Sequence, residues 1–123
     1  MAVYNDRVLS ADQAHQRAKS NDILLIDIRR SDEWEQTGIA EHAHAITMDD
    51  HDFIGKLEAL TEGNKDANVA IMCAAGGRSA RVVQALQDAG YNFVYNVPEG
   101  MIGGQSGKGW LARGLPTVKY QPE

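Results

Sequence analysis

Three short aliphatic runs recur along the chain with helical patterns between them, and this alternation limits the fold more than any other feature. The runs are Asp22 to Ile28 (DILLIDI), Asn68 to Cys73 (NVAIMC) and Asn92 to Val97 (NFVYNV). The first is continuously apolar, as a strand buried on both faces is, and the others read as its partners. Between the runs lie helical signals. Ser10 to Gln13 (SADQ) has capping-box spacing, which predicts a helix to about Ser20. Ser31 to Gly38 (SDEWEQTG) reads as a short helix with Ser31 as N-cap, acids in its first turn and a glycine stop. Phe53, Ile54, Leu57 and Leu60 fall at helical spacing before Gly63, and Val82, Val83, Leu86 and Ala89 before Gly90. Ala43 to Thr47 is expected as a brief strand. Strands alternating with helices predict an α/β fold with a central parallel sheet covered on both faces.

The 123 residues suit one domain, residues 1–123, with one real core. Hydrophobic residues make up 43% and no apolar run approaches the ~18 residues of a membrane span. The start, MAVYNDRVLSADQ, lacks a basic segment followed by an apolar one, so it does not read as a secretory signal. A single cysteine cannot form an internal disulfide, and a cytoplasmic location is expected. The net charge of −5 argues against nucleic acid as a partner. The acids between Asp32 and Glu41 and between Asp49 and Asp52 read as solvated surface.

The lone cysteine, Cys73, ends the second aliphatic run, and a Gly-Gly-Arg-Ser turn follows it. In parallel sheets ligands bind beyond the carboxyl ends of the strands, where Cys73 and Asp27 are both expected. A lone cysteine there is ordinarily a small hydrophobic filler. Filler does not call for the turn behind it. Small residues let the backbone curl and aim several N–H groups at one point. A helix starting near Ser79 adds its positive end, worth ~0.3–1 kcal/mol. Arg78 adds a planar cation. Together they favour a thiolate, with a pKa roughly one to two units below ~8.5. The same donors suit an anionic substrate beside the sulfur.

Three segments in order resemble the rhodanese-like domain family. They are Leu24 to Ile46, with its Asp-x-Arg pattern and Glu-aromatic step; Ile71 to Gly100, with the cysteine loop, helix, Gly-Tyr and Glu-Gly turn; and Gly109 to Val118, with the closing Trp and Gly-Leu-Pro. The resemblance implies a three-layer α/β/α fold and sulfur transfer. Cys73 would attack the outer sulfur of thiosulfate or another sulfane donor and pass the sulfur from its persulfide to cyanide or a thiol, which a protein could carry. Ala74, Ala75, Gly76, Gly77, Arg78 and Ser79 would form the substrate cradle, with Arg78 contacting the donor's anionic end. Asp27 and Arg29 would make a supporting structural link. No cofactor, metal, nucleic acid or membrane is implied.

Four residues separate Cys73 from Arg78. Related cell-cycle phosphatases and arsenate reductases place five there, which makes a wider cradle, so this chain resembles the sulfurtransferase branch. The rival readings are such a phosphatase or reductase, or a sulfur-carrier or regulatory domain without turnover. Two features depart from the family pattern. His42 stands where glycine is frequent, in a segment without the common His-Ile-Pro. Gly103 to Gly109 (GGQSGKG) is longer than the usual link, and it reads as a surface loop, with a flap over the site as the alternative. The side chains of Ala74 and Ala75 offer no donors, which leaves the donor preference open.

Other motifs fail on spacing. A phosphate loop would need glycine at Ile102 and Ser or Thr after Lys108, where Gly109 stands. His42, His44 and His51 lack the spacing of a helical ligand pair. A serine elbow breaks at Lys108. Trp34, Tyr91, Phe93 and Trp110 read as core anchors.

Overall fold

The computed structural model describes residues 7 to 121. A parallel sheet forms its centre, in the order β3 (Ala43–Ala45), β1 (Leu24–Asp27), β4 (Asn68–Met72), β5 (Phe93–Asn96). Asp27 pairs with Met72 in register, so β1 and β4 end side by side. Val8 adds a parallel bridge to Asn96 at the far edge. Ile39–Ala40 (β2) and Thr117–Val118 (β6) form a separate antiparallel pair. Two-residue strands carry too little periodicity to be seen in sequence, and neither is among the expected elements.

The sheet residues alternate between two apolar layers, which is why the aliphatic runs are continuous. Leu25, Ala70 and Met72 face a cluster with Ala14 and Ala18 of α1 (Ala11–Lys19) and Trp110 of α5 (Gly109–Ala112). Ile26, Val69, Ile71 and Cys73 face the other way, toward Leu57 of α3 (Phe53–Thr61) and Val82, Val83 and Leu86 of α4 (Gly77–Asp88). Helices therefore cover both faces, and the expected α/β architecture with a central parallel sheet is present. Among the described residues no helix is long and apolar enough to cross a membrane.

Local signals hold where the chemistry is local. The capping box of α1 forms in both directions: Gln13 N–H donates to Ser10 Oγ at 3.1 Å and Ser10 N–H to Gln13 Oε1 at 2.9 Å. Three expectations are corrected. Ser31 is the first residue of α2 (Ser31–Thr37) and not its cap, because Arg30 N–H is already held by Glu33 Oε1 at 3.0 Å. The strand at Ala43 stops at Ala45, two residues short of Thr47. Phe93 is no core anchor: it is 38% exposed, under the guanidinium of Arg7. Trp34, Tyr91 and Trp110 are buried as expected. His42, where glycine is frequent in the family, takes the left-handed φ of 72° that a glycine would have supplied.

Candidate active site

The cradle is built by one turn of backbone. β4 ends at Met72, and α4 begins at Gly77, two residues before the expected start near Ser79. Gly77 and Arg78 therefore belong to the first helical turn, and Cys73 to Gly76 alone make the curl. Gly76 has φ 101°, and a Cβ on it would lie 2.4 Å from the carbonyl oxygen of Pro98. Only glycine fits that conformation and that contact.

Cys73 Sγ lies at the focus of the curl. Gly76 N–H donates to it at 3.1 Å and Ser79 N–H at 3.4 Å. The Cys73 thiol donates to Ser79 Oγ at 3.4 Å while that hydroxyl donates to the Gly76 carbonyl at 3.1 Å; on ionisation of the thiol the hydroxyl can turn its one proton to the sulfur. Burial pushes the Cys73 thiol up, but hydrogen bonds from the Ser79 hydroxyl and from the N–H groups of Ser79, Gly76 and Ala75 outweigh it and hold the thiol below its ordinary value. The direction and the role of the backbone N–H groups agree with the sequence pattern. The Ser79 hydroxyl is a contributor that the pattern does not name, and Arg78, which it also invokes, is not among the main causes.

Ser79→Ala should therefore move the pH midpoint for alkylation of Cys73 upward by about one unit, since a hydrogen bond to a charged group contributes ~1.5–3 kcal/mol. A group with a depressed folded pKa keeps its charged form at lower pH, so wild-type reactivity should persist to lower pH than in the variant. An unchanged alkylation profile would remove Ser79 from the account.

A second segment backs the curl. Met101 N–H donates to the Cys73 carbonyl at 3.0 Å and Ile102 N–H to the Ala74 carbonyl at 2.9 Å. Gly100 has φ 60°, and a Cβ there would meet the Ala74 and Cys73 oxygens at 2.4 and 2.5 Å, both backbone atoms that cannot swing aside. Gly100→Ala should cost at least about 2 kcal/mol in urea unfolding, from the left-handed strain plus the clash. A loss below about 0.5 kcal/mol would mean that the two turns are not rigidly apposed. Glu99 pins this backing segment. Its buried carboxylate accepts Ala11 N–H at 2.8 Å, Gly109 N–H at 2.9 Å and Arg113 Nε at 2.7 Å, tying α1 and α5 together.

The Gly103 to Gly109 stretch is a tight turn with an antiparallel bridge between Gly104 and Gly107. A Cβ on Gly104 would lie 3.9 Å from the Ala75 side chain, so the turn stands directly beside the cradle.

Asp27 and Arg29 come together below the site. Arg29 Nη2 lies 2.9 Å from Asp27 Oδ2, and Arg29 Nε lies 3.0 Å from Oδ1, with both side chains at most 1% exposed. Arg29 Nη2 also reaches Thr37 Oγ1 at 3.1 Å and the Gly38 carbonyl at 3.2 Å, which binds the end of β1 to the end of α2.

Arg78 is engaged by a residue to which the sequence pattern assigns no role. Its two terminal nitrogens donate to the two carboxylate oxygens of Glu33, at 2.8 and 2.9 Å. The pairing holds the Glu33 carboxyl down at about 2, chiefly through the Arg78 hydrogen bond, and holds Arg78 protonated. The signal is present in the Glu-aromatic step at Glu33-Trp34, but only the fold brings α2 against the start of α4. Beside α2 a cavity of about 770 Å³ opens, lined among others by Arg30, Trp34, Thr47, Lys56 and Tyr120, and Cys73 does not line it. Among the described residues no three His, Cys, Asp or Glu side chains group as metal ligands.

Known proteins agree with this architecture. An uncharacterised protein of Rickettsia rickettsii is 28% identical, with 94% of this chain and 98% of that protein covered. The solution structure of a polysulfide-sulfur transferase homodimer from Wolinella succinogenes superposes with a TM-score of 0.66 at 28% identity, covering 98% of this chain and 84% of that one. A rhodanese-like domain from Anabaena superposes with a TM-score of 0.71 at 19% identity, covering 93% and 80% of the two chains. The family model for the rhodanese-like domain matches residues 10–106. The parallel sheet and the cysteine turn at its carboxyl edge thus have a family, and this chain belongs to the rhodanese-like domain family, which includes sulfurtransferases.

Proposed function

We propose that this protein is a sulfurtransferase that carries sulfane sulfur on Cys73. The observation that carries the reading is the convergence of the Gly76 and Ser79 N–H groups on a single sulfur at the start of α4. A thiolate there attacks the outer sulfur of thiosulfate or a related sulfane donor. The donor's S–S bond breaks, sulfite leaves with the electron pair, and the sulfur remains as a Cys73 persulfide. The backbone donors that held the thiolate then hold the persulfide anion. Cyanide or an acceptor thiolate attacks the outer sulfur, takes it as thiocyanate or a new persulfide, and returns the Cys73 thiolate. Ala74, Ala75, Gly76 and Gly77 contribute backbone to the cradle, Ser79 steadies the sulfur, and Arg78 supplies a helix-terminal cation whose charge Glu33 offsets. Asp27 and Arg29 hold the floor.

The four-residue spacing between Cys73 and Arg78 supports this reading over phosphate or arsenate chemistry, and the similarity to the Wolinella polysulfide-sulfur transferase supports it independently. The direct test is the intact mass after incubation with thiosulfate, followed by a cyanide chase. One added sulfur, released as thiocyanate, is expected. Absence of any adduct with thiosulfate and with organic persulfides would overturn the proposal.

A further inference from the structure

A cation at the rim of an anion cradle acts on the ligand only through its uncompensated charge. Glu33 offsets most of the charge of Arg78, which retains only a weaker interaction with the Cys73 thiolate. Each terminal nitrogen gives one N–H to Glu33 in a bidentate pair, which leaves three N–H donors on the guanidinium but offsets its charge. The side chains are 25% and 19% exposed, so the pair is partly withdrawn from solvent and salt screens it less than a surface pair. The Glu33 carboxyl, held at about 2, is ionised at any ordinary pH, so the neutralisation is permanent. Arg30 also reaches Glu33, with Nη1 4.0 Å from Oε1, but its Nε pairs with Asp32 Oδ1 at 3.2 Å, so the cluster of two arginines and two acids carries no net charge. What remains around Cys73 Sγ is backbone N–H, the Ser79 hydroxyl and a helix end. These are partial charges, suited to one negative charge and poorly matched to two.

We infer that Glu33 sets donor selectivity: by neutralising Arg78 it favours sulfur donors with at most one charge at the reacting end, organic persulfides above all, over the thiosulfate dianion. This rests on the sulfur-transfer reading of Cys73. The favoured loading step balances without a co-reactant. The Cys73 thiolate attacks the outer sulfur of R–S–SH, the S–S bond breaks, R–S⁻ leaves with the pair, and Cys73–S–SH remains. With thiosulfate the same step brings two negative charges beside a thiolate, where the Arg78 guanidinium is already neutralised. Removing the Glu33 charge exposes Arg78, and a dianion gains about twice what a monoanion gains from it.

The test compares Glu33→Gln with wild type. The amide side chain keeps an oxygen to accept Arg30 N–H, so the start of α2 is retained. Cys73 loading is followed by intact mass with thiosulfate and with freshly generated hydroxyethyl persulfide. The ratio of the thiosulfate rate to the persulfide rate should rise about tenfold in Glu33→Gln. It should fall back in the double variant Glu33→Gln/Arg78→Gln, which loosening of α2 alone would not do. A second measurement does not depend on sulfur transfer. In a Cys73→Ser background, sulfate binding read from the Gly76 and Ser79 amide signals should tighten about tenfold on adding Glu33→Gln. An unchanged donor ratio together with unchanged sulfate affinity would overturn the inference. Tighter sulfate binding with no loading from either donor would overturn the sulfur-transfer reading while leaving Glu33 as the charge gate of the cradle.

Discussion

Cys73→Ser is expected to abolish sulfur loading outright. Sulfur and oxygen side chains of similar size keep the cradle filled, and the hydroxyl can still accept the Gly76 and Ser79 N–H groups that meet Sγ. A serine hydroxyl is not ionised by the few kcal/mol that this ring of donors supplies, so the nucleophile is lost while its surroundings remain. Intact mass after thiosulfate or persulfide treatment should show no added sulfur, against one in wild type. Thermal unfolding should change little, because Cys73 is packed as a small core residue beside Ile71 and Val82 and the serine fits the same hydrogen-bonding shell. Retained loading in this variant would mean that the sulfur is carried elsewhere, and with one cysteine in the chain no other thiol exists to carry it.

The second large effect is on stability. Arg29→Ala leaves the Asp27 carboxylate buried, with its partner gone, at a position 0% exposed. Breaking a buried pair from one side costs about 3–5 kcal/mol, a large part of the ~5–15 kcal/mol that holds a domain together. A loss of that size should lower Tm by on the order of 10 °C or more. Replacing both partners, as in Asp27→Leu/Arg29→Met, should recover part of the loss, because no orphaned charge remains. Recovery should be incomplete, since Arg29 also serves Thr37 Oγ1 and the Gly38 carbonyl. A single variant within about 1 kcal/mol of wild type in urea unfolding would show that the pair does not organise the end of β1.

The two variants separate the site into sulfur and support. Cys73 should affect transfer without stability, and Arg29 stability first. Ser79 and Gly100 fall between. Ser79 is fully buried and meets the sulfur directly, so its loss should be read in the thiol's pH profile. Gly100 never touches the sulfur, yet any side chain on it would push against the carbonyls of Cys73 and Ala74.

How much of this is legible in the sequence follows the range of each interaction. The runs at β1 and β4 announce themselves because strands buried on both faces need apolar residues at nearly every position, whereas β5, at the edge of the sheet, buries Val94 and leaves Phe93 exposed. The α1 capping box is complete within four residues, so it can be read directly. The Cys73 turn is legible because small residues and glycines, followed at once by a helical pattern, leave few other conformations for the chain. The Asp27–Arg29 pair is separated by a single residue, and its spacing alone suggests a link.

Contacts between distant segments are decided only by the tertiary structure. Val118 meets Ile39 across 79 positions, and no local pattern in either two-residue strand predicts that pairing. α4 starts at Gly77 because the turn at Gly76, whose backbone lies against the Pro98 carbonyl with no room for a side chain, serves as its N-cap. Glu99 is a buried anchor because its carboxylate reaches the N–H groups of Ala11 and Gly109 from separate helices. Arg78 is expected from sequence as a free cation facing the donor, and the fold instead sets Glu33 against it from a position 45 residues away. A sequence states which charges a chain carries and which of them are near neighbours. Whether a charge acts on a ligand depends on what the fold brings within hydrogen-bonding distance of it, and a carboxylate at 2.8 Å outweighs any inference from the residue's own chemistry.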